Sequence, residues 1–152
     1  MYEIDLSTVM LIGLDDYRTK IITLDDEFIV EFNSKKLIDN SCKFFGSSLN
    51  DRVNMTKRLI NISSKSPIIV EESRNIIFFP LKSIRDKCNI WISFNNLEKY
   101  NKSLDKTIFY FKNKKEVIID FSYYIIDNQV TRSLMLDYEL KKRRETLEKA
   151  QL

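Results

Sequence analysis

The sequence predicts an α+β fold: a mostly antiparallel sheet, two consecutive helices near residues 34–61, and a C-terminal helix. Three observations carry that expectation. Short β-branched and apolar runs recur between turn-forming residues. Two capped amphipathic segments flank Gly46, and from about Asp127 the apolar residues return at helical spacing. The 152 residues fit one continuous domain over 1–152, with residues 127–152 as its C-terminal helix. A chain of this size can bury a core without a metal or a disulfide.

Thr8–Ile12 and Thr19–Leu24 are β-branched and apolar around Gly13-Leu14-Asp15-Asp16, which predicts a hairpin, and Phe28–Val30 predicts a third short strand. Asn33 or Ser34 then caps a helix running to about Phe45, with Gly46 as its left-handed stop. Leu37, Ile38, Ser41, Cys42, Phe44 and Phe45 share its apolar arc, and Lys36, Asp39 and Lys43 lie opposite. Ser47 or Ser48 caps a second helix to about Ile60. Its inner arc is Leu49, Val53, Thr56 and Ile60. After Pro67, Ile68–Val70 and Asn75–Phe79 read as strands, and Pro80 ends the second. Ile90–Ile92 is another strand, and a brief helix capped by Asn95 is expected over Asn96–Tyr100. Thr107–Phe111 and Glu116–Ile119 form a hairpin through Lys112–Lys115, where Asn113 tolerates a positive φ.

The last helix carries two apolar stripes. Val130, Leu134 and Tyr138 form one; Leu136, Leu140 and Leu147 form the other. One stripe can cover the body of the domain, and the other needs a second surface. A homodimer is therefore expected, with either Leu136 and Leu140 or Leu134 and Tyr138 buried between subunits. The Lys141–Arg144 run resembles a nucleic-acid patch in isolation. Glu139, Glu145, Glu148 and Lys149 lie four residues from Arg143, Lys141, Arg144 and Glu145, however, which predicts a solvated, ion-paired helix there.

Composition excludes most enzyme classes. The chain has no histidine, so there is no Ser-His-Asp triad, no Cys-His pair and no imidazole metal ligand. Two cysteines, Cys42 and Cys88, are too few for a structural zinc site, and two free thiols are expected. Two glycines cannot make a P-loop or a dinucleotide turn. Neither an enzyme nor a cofactor-binding protein is expected. A carboxylate site for Mg²⁺ at Asp15, Asp16, Asp25 and Asp26 is weaker than its reading as solvated acidic turns. No stretch approaches the roughly 20 apolar residues that span a bilayer. Acids stand where a signal peptide would carry Lys or Arg, so a cytoplasmic chain without membrane contact is expected.

The net charge of +3 hides an asymmetry. Residues 1–31 carry two cations against eight acids, whereas residues 32–115 carry 17 Lys and Arg against seven acids. That middle segment, at +10, has the footprint of a polyanion binder. Within it, Asn50, Asn54, Lys57 and Asn61 share one outer arc of the second helix, with Arg58 beside them. Amides and cations on one face suit phosphates and groove-edge acceptors. Lys43, Lys65 and Arg74 join them as candidate DNA contacts, because no apolar packing role accounts for them. Phe44, Phe45 and Trp91 read as core, and Cys42 as a small buried hydrophobe.

The run Asp39-Asn40-Ser41-Cys42-Lys43-Phe44-Phe45-Gly46-Ser47-Ser48 resembles the ComK family, the competence transcription factors of low-GC Gram-positive bacteria. The resemblance continues through Ser64–Val70, Ile77–Pro80, Cys88–Ser93 and Asn128-Gln129-Val130 with Arg132, covering roughly residues 3–140. It implies a transcriptional activator of competence genes that recognises paired A·T-rich boxes in double-stranded DNA, largely through the minor groove. It further implies a dimer or tetramer on the promoter, contact with RNA polymerase, and a bacterial protein associated with the nucleoid when bound. Family levels are set by an adaptor-dependent protease whose adaptor engages a C-terminal extension. Leu152 falls before that extension, so neither adaptor-driven proteolysis nor full activator function is carried over by the resemblance. The alternative expectation is a protein-interaction module of the same fold that titrates a full-length relative or its regulatory adaptor.

Overall fold

Residues 68–70, 76–79 and 90–92 are apolar at successive positions. Neighbouring strand residues point to opposite faces, so such strands need cover on both sides. The computed structural model describes residues 1–150, and shows how that cover is supplied; residues 151 and 152, the end of the expected last helix, lie outside the described residues. β1 (Thr8–Gly13), β2 (Thr19–Thr23) and β3 (Glu27–Val30) form an antiparallel meander. α1 (Ser34–Phe44) and α2 (Leu49–Ile60) follow. β4 (Ile68–Glu71), β5 (Ile76–Pro80) and β6 (Ile90–Ser93) then complete a six-stranded sheet in the order β3-β2-β1-β6-β5-β4. Every neighbouring pair in it is antiparallel. β7 (Leu97–Ser103), β8 (Lys106–Phe111) and β9 (Glu116–Ile119) make a second antiparallel sheet, and α3 (Tyr123–Ala150) follows. The class is α+β, as the sequence predicts.

One face of the large sheet packs on the first two helices. Leu11, Ile21, Ile68, Val70, Phe78 and Trp91 meet Leu37, Ile38, Cys42, Leu49 and Val53 there. The other face is covered by the small sheet and the start of α3, where Met10, Ile22, Phe79 and Ile92 meet Phe109, Phe111, Ile126 and Val130. At the β4 edge the two layers of helix join. Ile69 and Ile77 pack on Ile60 from α2 and on Leu136 and Leu140 from α3. Helices thus cover an edge strand that would otherwise be open to pairing.

The helix caps follow the expected chemistry. Asn33 accepts from the Lys36 N–H at 2.8 Å, and Ser48 from the Asp51 N–H at 3.1 Å. Gly46 turns the chain between the helices at φ +102, a conformation that side chains rarely adopt. Gly13 is fixed differently: a Cβ there would meet the Asn89 backbone at 2.8 Å.

Three expectations are corrected. Asn96–Tyr100 is not a helix: Asn96 lies in a turn and Leu97–Tyr100 begin β7. Leu97, Tyr100 and Ser103 are half-buried at helix-like spacing, yet a bulge between Leu97 and Lys99 resets the register. Leu97 and Tyr100 can then both face inward, opposite Phe111 and Phe109. α3 begins at Tyr123, a turn earlier than expected, with the Ser122 carbonyl accepting from the Ile126 N–H. Phe44 is 61% exposed rather than core. It sits at the edge of the apolar arc, where α1 ends, and stacks edge-on against half-buried Phe45 at 5.0 Å. Trp91 and Cys42 are buried as expected.

Candidate nucleic-acid interface

The inner arc of α2 (Leu49, Val53, Thr56, Ile60) is buried, and the Thr56 hydroxyl donates to the Pro67 carbonyl at 2.7 Å. That packing fixes which side of the helix faces out. Asn50, Asn54, Lys57, Arg58 and Asn61 are all exposed. Among the described residues, none of their side chains is held in an ion pair. Lys57 and Arg58 also lie in the last turn, where the helix dipole favours cations. Asn61 closes the helix in the left-handed region, at φ 53.

The other candidates lie elsewhere. Lys43 is exposed on α1 but paired with Asp39 at 3.0 Å. Arg74 pairs with Glu71 at 3.2 Å, in the β4–β5 turn. Burial there pushes the Glu71 carboxyl up, but hydrogen bonds from Ser73 and Arg74 outweigh it and hold the group below the usual carboxylate range. Lys65 is exposed at φ 49, and its carbonyl accepts from Gln129 Nε2 at 2.9 Å. Asn54, Lys57 and Arg58 are brought to one cleft; Lys43, Lys65 and Arg74 do not line it.

That cleft, about 1100 Å³, runs between α2 and the last half of α3. Sequence reasoning missed three of its cations. Arg143 and Arg144 line it from α3, and Arg52 from α2. Among the described residues, the ion pairs expected around the Lys141–Arg144 run do not form. Lys141 pairs with Asp137 at 2.8 Å instead, and the Arg144 guanidinium donates to the Glu72 carbonyl. Lys141 thus takes a different partner at i,i+4 spacing within α3, whereas Arg144 finds its acceptor outside the helix because α3 packs on the β4–β5 turn. Arg52 was hidden by its position on the buried side of α2, where its guanidinium donates to Glu72 Oε1 at 3.1 Å.

The stripes of α3 are also resolved. Leu136 and Leu140 are 0% and 3% exposed and pack inside the chain, so that half of the expected subunit interface is corrected. Leu134 and Tyr138 stay 54% and 63% exposed. Leu147, expected to share the stripe of Leu136, is exposed at the cleft.

The motif islands are mostly structural. Gln129 Nε2 donates to the carbonyls of Lys65 and Pro80, at 2.9 and 2.7 Å, and so joins three of them. Arg132 adds a bond to the Ser64 carbonyl at 2.8 Å. Asn89 is buried, with its amide bonded to the backbone of Lys82 and Ser83. The Gln129 and Arg132 contacts hold α3, and with it the Arg143 wall of the cleft, against the large sheet. Both cysteines are free thiols, and burial pushes the Cys42 thiol up to about 12. Among the described residues no cluster of acids and thiols has the makings of a metal site, and no helix is long and apolar enough to cross a membrane.

A family model described as ComK protein matches residues 1–145 of the chain. A competence transcription factor of Bacillus subtilis (strain 168) is 36% identical over 137 residues, covering 84% of this chain and 71% of that protein. No solved structure matches the chain. The family match spans both sheets and most of α3, and three of the islands it includes lock α3 to the sheet: the chain belongs to the ComK family.

Proposed function

We propose that this protein is a regulator of competence genes that binds A·T-rich double-stranded DNA through the outer face of α2. The observation that carries the reading is that face itself: three amides and two cations, all exposed and, among the described residues, without ion pairs, inside a segment of charge +10. Cations there neutralise backbone phosphates, and Asn amides reach groove-edge acceptors. A minor-groove mode follows the family resemblance, and Lys and Asn suit the A N3 and T O2 acceptors found there. Lys43, Lys65 and Arg74, which lie outside the cleft, are secondary contacts in this reading.

The regulator acts as a dimer or higher oligomer, with Leu134 and Tyr138 between subunits, and its activating step includes contact with RNA polymerase. It works in the cytoplasm, on the nucleoid, without a catalytic step. Gel-shift titrations with A·T-rich and G·C-rich duplexes at two salt concentrations test the reading. Tighter binding to the A·T-rich duplex, weakening steeply with salt, is expected. Failure to bind either duplex would instead favour a module that titrates protein partners.

A further inference from the structure

The cleft between α2 and α3 has a floor that its own chain leaves incomplete. The Arg52 side chain is only 9% exposed, and a single carboxylate, from Glu72, answers it at 3.1 Å. Its Nε–H is buried without a hydrogen-bond partner among the described residues. A guanidinium in that state is costly to bury unless an anion completes its shell. The walls add to the demand. Lys57 and Arg58 line one side and Arg143 and Arg144 the other, so among the described residues five cations share the cleft with only Asp51 and Glu72. Met55, Leu140 and Leu147 supply apolar lining, which lowers the local dielectric and strengthens any charge interaction there. A guanidinium fork matches the oxygens of a phosphate group in geometry as well as in charge.

We propose that this cleft clamps adjacent phosphodiester groups of the DNA backbone, with Arg52 as its floor and Arg143 and Arg144 as the wall opposite Lys57 and Arg58. The inference rests on the reading that α2 faces DNA, and deepens it. Asn54, Lys57 and Arg58 belong both to the exposed face of α2 and to the cleft lining, so an anion held in the cleft lies on the path of a duplex crossing that face. This continuity points to a backbone phosphate rather than a small anion bound alone. The contribution of α3 is a second wall that turns a flat contact into a grip.

The test uses the full chain. Arg143→Gln removes one cation whose side chain no ion pair or hydrogen bond ties to the other described residues, and Arg143→Ala plus Arg144→Ala removes both. Log K for a duplex is measured against log[salt], and the Arg52 Nε–H resonance is followed by ¹⁵N NMR. The single variant should flatten the slope by about 0.9 and the double by about 1.8, the change expected for each phosphate no longer neutralised on B-DNA. The Arg52 Nε–H should shift when duplex is added. Wild-type affinity and slope in Arg143→Gln, together with loss of both in Lys57→Ala plus Arg58→Ala, would overturn the clamp while leaving the α2 reading intact. An Arg52 resonance that moves with inorganic pyrophosphate but not with duplex would also overturn it, and assign the cleft to a free phosphate compound. Absence of any duplex binding would overturn the α2 reading and the clamp with it.

Discussion

Gln129 shows how one side chain can position an interface it never touches. Its buried amide donates to carbonyls from the loop before β4 and from the end of β5, and so anchors α3 near its first turns. Gln129→Ala strands those two acceptors away from water, at a cost of about 1–3 kcal/mol for each unsatisfied group. Urea denaturation should show that loss, and duplex affinity should fall as α3 loosens. Cys42 makes a different point. Burial keeps its thiol protonated to about 12, against an ordinary value of 9.0. An unfolded chain sheds that proton first, so this group withdraws stability as pH rises past 9.0. Thiolate chemistry is blocked in the native state as well. An alkylating reagent at neutral pH should therefore modify half-buried Cys88 first and Cys42 only on unfolding, as mass spectrometry can read, and reductant should leave DNA binding unchanged. The burial of Cys42 and Trp91 was legible from their apolar neighbours. Arg52 was not, since its position at the edge of the inner arc of α2 gives no sign that Glu72, twenty residues on, would receive it.

At the scale of elements, the caps and turn residues were the most legible features. Asn33, Ser48, Gly46 and Asn113 each act where local chemistry placed them, because their roles depend on a few neighbouring backbone groups. The spacing within β7 imitates a helix in the sequence, and only pairing with β8 reveals the bulge that produces it. α3 shows both outcomes. Two stripes were visible, but which one the chain would cover depended on where β4, β5 and α2 lie. The buried and exposed stripes should respond differently to substitution. Leu136→Ala should destabilise the fold by about 2–5 kcal/mol, as expected for a fully buried leucine, in thermal or urea unfolding. Leu134→Ser with Tyr138→Ser should leave stability within about ±0.5 kcal/mol, as for surface substitutions. That variant should nonetheless sediment as a monomer. A stable Leu134→Ser, Tyr138→Ser protein that still sediments as a dimer would place the subunit interface elsewhere.

For the whole molecule, the large sheet is a partition with helices and a second sheet on its two sides, and the helices meet at the β4 edge. That arrangement brings the amide and cation face of α2 beside the basic run of α3, two segments eighty residues apart in sequence at their nearest. The charge asymmetry along the chain points to the first segment, whereas the acids four residues from the second imply a solvated helix; only the return of α3 to α2 joins the two. If the α2 face is the DNA surface, the most direct measurement of it is the salt dependence of duplex affinity in Lys57→Ala plus Arg58→Ala. Removing two phosphate-neutralising cations should flatten the slope of log K against log[salt] on B-DNA by about 1.8 and weaken binding to every sequence. Thermal stability should stay within about ±0.5 kcal/mol of the parent. A folded double variant with the parent's affinity and the parent's slope would contradict that role for α2.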